Sequence, residues 1–245
     1  MTPPSMRRST SGVLDVRELL DARATLVDVY GPEDVVRVLE PLVGDARRSR
    51  LNAVIDARLA SVAVVFDGPY DPHNGAAVIR SCEAFGVQRL HVVERPGTPF
   101  LAARSVARGA QKWIDLVCHE GADSLLSWSR EERMPLVGAH PEGALSPEDL
   151  AAMPRLTIVL GNEREGIRPA IAEVCAARVR VPMRGFSESL NVSVTAAILL
   201  QAATRGRSGD LDATSRRRLY ARGLVFSVTR SAELLRLSLG EPHQG

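Results

Sequence analysis

Lysine and aromatic residues are almost absent from this chain of 245 residues. Lys112 is the only lysine, so arginine supplies the rest of the 31 basic residues. Any contact with a phosphate group would therefore be made mainly by planar guanidinium groups. Aromatic residues amount to 4%, so the core must be built mostly from aliphatic side chains.

Cysteines and long apolar runs are also scarce. Cys82, Cys118 and Cys175 are odd in number and far apart, which argues against a disulfide framework and a zinc site. The longest uncharged stretch, around residues 192–203, falls short of the ~20 apolar residues of a membrane span. No apolar segment follows the first basic residues, so we expect no signal peptide. The composition indicates a cytoplasmic protein with reduced thiols, no metal and no membrane contact.

The net charge is small and the composition is that of a globular protein. The 31 basic and 29 acidic residues leave a formal charge of +2, too little to predict nucleic-acid binding from charge alone. With 45% hydrophobic and 24% charged residues, the chain is neither fibrous nor disordered throughout. Its length allows one domain with a small addition.

The pattern of residues changes twice along the chain. The first dozen residues are polar, and helical spacing begins at Leu14, so residues 1–60 are predicted to be a disordered tail and a helical N-terminal extension. Residues 61–205 are predicted to form the main domain. Residues 206–245 are predicted to be a C-terminal helical extension, with one arginine-rich helix over about 213–238.

Short aliphatic runs alternate with helical segments in the main domain. This alternation predicts an α/β fold with a mainly parallel sheet that is covered by helices on both faces. A longer helix is predicted over about 189–205. The predicted strands are 62–66, 90–93, 114–118, 135–139, 156–161 and 177–183. The helical segments between them are 75–86, 101–109, 121–132, 146–152 and 168–175.

Common phosphate-binding and catalytic motifs are missing. The chain has no GxxxxGK[ST] loop, no GxGxxG after the first strand, no GxSxG elbow and no HExxH. Three polar, glycine-containing clusters that follow strands remain. Parallel sheets bind ligands beyond the carboxyl ends of their strands, so these clusters are candidates for a site.

The first cluster is DGPYDPHNGAAVIRSCEAFGV, residues 67–87. Asn74 is placed to cap a helix, and Arg80 flanks the apolar stripe of that helix. A helix cap and a solvated arginine would explain the same two residues in purely structural terms. The predicted apolar stripe consists of Ala76, Ile79, Cys82 and Phe85.

The second and third clusters are LTIVLGNEREGI, residues 156–167, and VRVPMRGFSESLNVSVTAAILL, residues 179–200. In the second, a buried strand runs into a turn that closes at Gly166, and its glycines allow a ligand to approach the backbone closely. In the third, Ser187 or Ser189 is predicted to cap an aliphatic helix. A plain polar turn and a capped core helix are the structural alternatives.

Together, and in this order, the three clusters resemble the motifs of the SpoU/TrmH branch of the SPOUT RNA 2′-O-ribose methyltransferases. DPHNGAAVIRSCEAFGV resembles the first motif, with an arginine six residues after its asparagine, IVLGNEREGI the second, and VPMRGFSESLNVSVTAAILL the third. The resemblance covers about residues 61–205. The asparagine–arginine spacing, GAQKW at 109–113 and SLNVS are most similar to the TrmH type, which acts on a tRNA guanosine.

The resemblance implies a deep C-terminal trefoil knot, which would break the usual rule that chains do not thread. It also implies S-adenosylmethionine bound in the knot and a homodimer with active sites at the interface. The adenine would be held mainly by backbone groups and aliphatic side chains. The implied cofactor-binding residues are Leu160, Gly161, Ile167, Val181, Met183, Ser189 and Leu190.

The resemblance also implies that Arg80 is the catalytic residue, supported by Asn74, Glu163, Ser189 and Asn191. The ribose 2′-hydroxyl must lose a proton as its oxygen attacks the methyl-sulfonium. Holding an arginine neutral at pH 7 would cost about 7 kcal/mol, because its solution pKa is at least ~12.5. A charged guanidinium contributes about 3–4 kcal/mol by stabilising the oxyanion. We favour this electrostatic role, with arginine as the base as the alternative.

Arginine-rich segments outside the motifs are candidates for RNA contacts, although residues of this kind also form solvated helix faces. Lys112, beside Trp113, is a further candidate. The predicted RNA-binding residues are Arg47, Arg48, Arg50, Arg104, Arg108, Lys112, Arg216, Arg217 and Arg218.

Three functions remain compatible with the sequence. The favoured one is an S-adenosylmethionine-dependent ribose methyltransferase that acts on a D-loop guanosine of tRNA. The same chemistry on ribosomal RNA ranks second, because the N-terminal extension has few aromatic residues for base stacking. A catalytically silent RNA-binding dimer ranks third, because the set of motif residues is complete.

Overall fold

The structure is a computed structural model that describes residues 13–15 and 22–241, and its eight strands lie within these ranges. Six of them form one parallel sheet, which confirms the predicted α/β class. The predicted disordered tail lies outside the described residues. The strands are β1 (Val13–Asp15), β2 (Leu59–Asp67), β3 (Val87–Val93), β4 (Leu101–Ala103), β5 (Asp115–His119), β6 (Leu136–Ala139), β7 (Leu156–Leu160) and β8 (Ala177–Val179). The strand order in the sheet is β5-β3-β2-β7-β6-β8.

Helices cover both faces of this sheet. Val64 and Phe66 of β2 pack with α4 and α8 in one core, whereas the intervening Val65 packs with α6 and α7 on the other face. The helices are α1 (Leu26–Tyr30), α2 (Pro32–Leu39), α3 (Asp45–Asp56), α4 (Pro72–Ala84), α5 (Arg104–Ala107), α6 (Ala122–Glu131), α7 (Pro169–Ala172), α8 (Val192–Thr204), α9 (Ala213–Ser227) and α10 (Ser231–Leu239). None of these helices is long and apolar enough to cross a membrane within the described residues.

Helices from the two ends of the chain pack against each other. The first three helices and α9 and α10 share a second apolar core, in which Val35, Leu39, Leu224 and Leu235 are buried. Three exposed ion pairs also join α9 to the N-terminal part. They are Arg216–Asp56, Arg217–Glu33 and Arg218–Asp28. The N-terminal and C-terminal helices therefore form one helical layer.

Three local predictions are wrong. The segment around Leu14 is strand β1, not helix, and it pairs with β4 inside the segment 101–109, which was also predicted to be helical. The single helix predicted over 213–238 is two helices, because Val228 is extended and Arg230 has a φ of 60°. An antiparallel partner supplies backbone hydrogen bonds that override the weak local preference of a short segment.

A buried pair of histidines lies between β3, β5 and α6. Nδ1 of His91 is 2.9 Å from Nε2 of His119, whose Nδ1 is 2.9 Å from the hydroxyl of Ser124. The His91 ring also packs against Trp128, with centroids 3.7 Å apart and the ring planes tilted by 35°. Burial, with smaller contributions from His119 and Arg89, lowers the pKa of His91 to about 3. His91 is therefore neutral in the folded protein.

This histidine should make folding stability depend on pH. Below the ordinary histidine pKa of about 6.5, this histidine binds a proton in the unfolded chain but not in the folded protein. The free energy of unfolding should therefore fall by about 1.4 kcal/mol for each unit by which the pH is lowered. Urea unfolding at pH 7.5, 6.5 and 5.5 measures this fall. His91→Asn has no titrating group at position 91 and keeps only His119, whose pKa burial also lowers, so the fall should be shallower. Equal pH dependence in both proteins would contradict the assignment.

Candidate active site

A cavity of about 470 Å³ opens at the carboxyl ends of β6, β7 and β8. Open α/β sheets bind ligands at this edge, where each strand passes into a loop. Six of the seven predicted cofactor-binding residues lie on its wall. They are Leu160, Gly161, Val181, Met183, Ser189 and Leu190. The cavity thus combines aliphatic walls with polar groups from the second and third motifs.

The second motif forms a turn that is closed from both ends. Asn162 N–H donates to the Gly166 carbonyl at 3.0 Å, and Gly166 N–H donates back to the Asn162 carbonyl at 3.2 Å. The Asn162 side chain also accepts hydrogen bonds from the backbone N–H of Arg164 and Glu165. A Cβ on Gly161 would lie 2.3 Å from the carbonyl carbon of Gly166. Glycine is therefore required for this turn to fold back beside the cavity.

A buried ion pair holds the end of the same loop. Asp67, at the end of β2, is fully buried and accepts hydrogen bonds from the backbone N–H and Nε of Arg168, each at 2.7 Å. The Arg168 guanidinium also donates to the carbonyls of Val93 and Glu94 at the end of β3. The loop after β7 is thus fixed to the two neighbouring strands.

The first motif contributes a buried amide rather than a helix cap. The prediction that Asn74 caps α4 is wrong, because Asp71 holds that position and accepts from His73 N–H at 2.8 Å. Asn74 lies in the first turn of α4 and is 7% exposed. Its Nδ2 donates to Glu163 at 2.7 Å, and its Oδ1 accepts from Asn191 Nδ2 at 3.0 Å. One residue from each motif therefore meets in a single hydrogen-bonded network.

The third motif also starts its helix at a different residue from the predicted one. Asn191, not Ser187 or Ser189, caps α8, because its Oδ1 accepts from the backbone N–H of Ser193 at 2.8 Å. Asn191 therefore both begins α8 and binds Asn74. The preceding loop, 182–190, is exposed along its whole length.

Three of the predicted catalytic and cofactor-binding residues, Asn74 among them, lie outside the cavity wall. Arg80 is an exposed residue of α4 and makes no hydrogen bond or ion pair with the described part of the chain. Ile167 borders a neighbouring cavity of about 250 Å³, together with Gly138 and Cys175. Burial raises the pKa of the Cys175 thiol, so this group stays protonated at neutral pH and is a poor nucleophile.

Several residues of the cavity wall were missed from the sequence. His140 and Pro141 directly follow β6, and Thr195 lies four residues after Asn191 on the same side of α8. His140 could have been found, because the rule that favours the ends of parallel strands applies to β6 as well as to β7.

The predicted RNA-binding residues are mostly engaged within the chain. Arg216, Arg217 and Arg218 form the ion pairs with the N-terminal helices described above. Arg50 and Arg108 are exposed, with no polar partner among the described residues, and the side chain of Arg104 lies outside the described part. The other contacts are Arg48 with Asp45, Arg47 Nε with the Ser227 hydroxyl, and Lys112 over the Phe226 ring. No group of three or more metal-ligating side chains occurs in the described ranges.

Comparison with known proteins relates this site to one family. A family model described as the SpoU rRNA Methylase family matches residues 61–201, which is more than half of the chain. The tRNA (guanosine(18)-2′-O)-methyltransferase of Aquifex aeolicus is 28% identical over 171 residues, which are 69% of this chain and 81% of the relative. The 23S rRNA (guanosine-2′-O-)-methyltransferase RlmB of Escherichia coli is 34% identical over 146 residues, 59% of this chain and 60% of the relative.

Solved structures agree with this relationship. The crystal structure of the A. aeolicus TrmH/SpoU tRNA modifying enzyme matches with a TM-score of 0.67 and 24% identity, over 76% of this chain and 98% of that one. The SpoU methyltransferase AviRb of Streptomyces viridochromogenes, solved with AdoMet, matches with a TM-score of 0.55 and 27% identity, over 62% of each chain. The chain belongs to the SpoU/TrmH family of RNA 2′-O-ribose methyltransferases.

Proposed function

We propose that the protein transfers a methyl group from S-adenosylmethionine to the ribose 2′-hydroxyl of a D-loop guanosine in tRNA. The observation that carries the proposal is the convergence of one residue from each motif, Asn74, Glu163 and Asn191, beside the 470 Å³ cavity. The A. aeolicus relative that is a tRNA (guanosine(18)-2′-O)-methyltransferase supports tRNA as the substrate.

The cavity wall fits S-adenosylmethionine. The Gly161 backbone packs directly against the backbone of Gly166, and both residues line the cavity, so main-chain groups of this turn form part of the wall. In the proposal, the flat adenine ring lies against them. Leu160, Val181 and Leu190 supply apolar contacts, and Ser189 supplies a hydroxyl. When bound, the cofactor supplies a methyl group on a positively charged sulfur. The AviRb structure with AdoMet supports this occupant. In the proposal, Met183 also lines the cofactor cavity, and Ile167 supports this wall from the neighbouring cavity.

In the proposal, the proton of the ribose 2′-hydroxyl passes to a phosphate group of the RNA, and Arg80 stabilises the negative charge that develops on the oxygen. Asn74, Glu163 and Asn191 hold one another in place, and the exposed oxygen of Ser189 orients the ribose. Arg80 does not line the cavity of its own chain. In the proposal, Arg80 of a second copy of the chain therefore completes the site.

We further propose a homodimer with its active sites at the interface. The loop before α8 and the first turns of that helix expose an apolar surface that a second copy would cover. Its fully exposed member is Phe186, with a relative exposure of 109%. The other members are Met183, Leu190 and Val194. Burying such side chains contributes ~25 cal/mol per Å².

Mixing two inactive variants should restore activity if each site draws on two chains. Arg80→Ala loses the catalytic arginine but retains an intact cofactor cavity, whereas Gly161→Ala has an altered cavity but retains Arg80. An equal mixture that exchanges subunits should form mixed dimers with one intact site, and reach about one quarter of unaltered activity. Methyl transfer before and after subunit exchange measures this, and light scattering gives the mass. No recovery in dimers with verified exchange would place Arg80 and the cavity of one chain in the same site.

We propose that residues 61–205 form the catalytic domain. The N-terminal and C-terminal extensions, residues 1–60 and 206–245, then form one helical layer that helps to bind RNA. Arg50 and Arg108 are the strongest of the predicted RNA contacts, because both are exposed and without a polar partner in the described chain. The ion-paired arginines of α9 hold this layer together in the proposal.

Labelled cofactor distinguishes the candidate substrates. We expect the methyl label to enter bulk tRNA rather than ribosomal RNA, and mapping should find it on one D-loop guanosine ribose. Ribosomal RNA is the second candidate, which the 34% identity to the E. coli 23S rRNA enzyme supports. Label in ribosomal RNA alone would overturn the tRNA proposal. RNA binding without any methyl transfer would favour the silent RNA-binding dimer.

A further inference from the structure

Two arginines lie over one tyrosine ring next to the Asn74 network. The guanidinium carbon of Arg95 is 3.9 Å from the ring centroid of Tyr70, and that of Arg164 is 4.4 Å from it. An aromatic face attracts a cation at this distance, so the ring restrains two otherwise flexible side chains. These three residues are called the Arg95–Tyr70–Arg164 cluster below.

The cluster lies where three neighbouring strands end. Tyr70 follows β2, Arg95 follows β3, and Arg164 belongs to the turn after β7. The backbone N–H of Tyr70 donates to Glu163 at 3.2 Å, and the same carboxylate accepts from Asn74. None of the three residues of the cluster lines the 470 Å³ cavity. The cluster therefore borders the active-site network without belonging to the cavity wall.

The two guanidinium groups are not neutralised within the described part of the chain. Neither forms an ion pair there with a carboxylate, in contrast to the arginines of α9. Arg164 is exposed and Arg95 is half-buried. Two positive charges are thus held close together at the surface, where an anionic group from outside can reach them.

The turn after β2 is shaped around Arg95. Gly68 has a φ of 61°, a conformation that favours glycine, and a Cβ there would lie 3.2 Å from Cγ of Arg95. A side chain at this position would strain the backbone and push the stem of Arg95 away from Tyr70. Gly68 therefore leaves room for the aliphatic part of the Arg95 side chain.

We propose that the Arg95–Tyr70–Arg164 cluster binds the phosphodiester groups that flank the target ribose of the RNA. This inference rests on the proposed function, because it assumes that RNA enters the site beside Glu163. Guanidinium groups match phosphate oxygens with paired, charge-assisted hydrogen bonds. The Tyr70 ring orders both groups before binding, which reduces the entropy lost when RNA binds. Phosphate contacts fix the position of the RNA without reading its bases.

The test measures binding of an unmodified tRNA transcript to the full-length protein at several salt concentrations. Arg95→Ala and Arg164→Ala should each weaken RNA binding about tenfold and lower the slope of log K against log salt by about one. Tyr70→Leu should also weaken binding, whereas Tyr70→Phe keeps the ring and should bind like the unaltered protein. Arg130→Ala is the matched control. Arg130 lies near the end of α6, which leads to the amino end of β6, whereas the cluster lies at the carboxyl ends of its strands.

Cofactor binding and turnover distinguish an RNA contact from structural support. Affinity for S-adenosylmethionine should be unchanged in the variants, and KM for RNA should rise while kcat is retained. Unaltered RNA affinity and salt slope in Arg95→Ala and Arg164→Ala would overturn the inference. So would a parallel loss of cofactor affinity. Methyl transfer by the unaltered protein tests the proposed function separately. If the unaltered protein transfers no methyl group while the variants still lose RNA affinity, the cluster binds RNA but the proposed reaction is wrong.

Discussion

Arg80→Ala should reduce methyl transfer by about 10²- to 10³-fold, the usual effect of losing one group that stabilises a developing oxyanion. Affinity for S-adenosylmethionine should be nearly unchanged, because Arg80 lies outside the cavity wall. Folding stability should also be retained, because Arg80 is exposed and makes no polar contact with the described chain. The change therefore removes a charge and little else.

Turnover and cofactor affinity must be measured on the same preparation of Arg80→Ala. Arg80→Lys is the matched variant, since it keeps the positive charge but loses the planar group that can donate two parallel hydrogen bonds. Partial activity in Arg80→Lys would support a mainly electrostatic role. Loss of cofactor affinity in Arg80→Ala would make Arg80 a structural residue, and full activity would remove it from the mechanism.

Gly161→Ala should weaken binding of S-adenosylmethionine by about a hundredfold and lower methyl transfer with it. The new Cβ would lie 2.3 Å from the Gly166 carbonyl carbon and 2.4 Å from the Ile167 nitrogen, both of them backbone atoms. The turn must therefore open, at a cost of about 3 kcal/mol for an overpacked site. A cost of that size corresponds to about a hundredfold in affinity.

Calorimetric titration with the cofactor measures this effect, and Gly44→Ala is the control. Gly44 has open space where a Cβ would be placed and precedes α3, away from the cavity. It should bind the cofactor like the unaltered protein. Gly161→Ala with unaltered cofactor affinity would show that the turn after β7 does not form the binding surface.

Local patterns predicted the sheet because they depend on neighbouring residues alone. Continuous aliphatic runs such as β2 and β7 are typical of strands buried on both faces, and every predicted strand is present. The strand predicted over 177–183 is shorter, however, because β8 ends at Val179. The position of the cavity followed from the same patterns, since the polar clusters come directly after strands and parallel strands end at one edge. His140 was missed only because the rule was not applied to β6.

The errors arose where contacts between distant segments decide the local structure. β1 and β4 are strands because they pair with each other, and neither has a pattern that would indicate this. Asn74 belongs to a hydrogen-bonded network and does not cap α4, because Asp71 is the capping residue. The arginines of α9 are positioned by acidic residues of the N-terminal helices, which no spacing within α9 could indicate.

The sequence by itself determined the fold class, the three motifs and their order. Only the tertiary structure decided which motif residues meet: Asn74 bonds to Glu163, 89 residues away, and Asn191, 117 residues away, bonds to Asn74. It also separated Arg80 from the cavity and placed Tyr70 between Arg95 and Arg164 in sequence-distant loops. Periodicity records which face of an element is apolar, whereas the meeting of distant side chains depends on how the loops at the strand ends fold together.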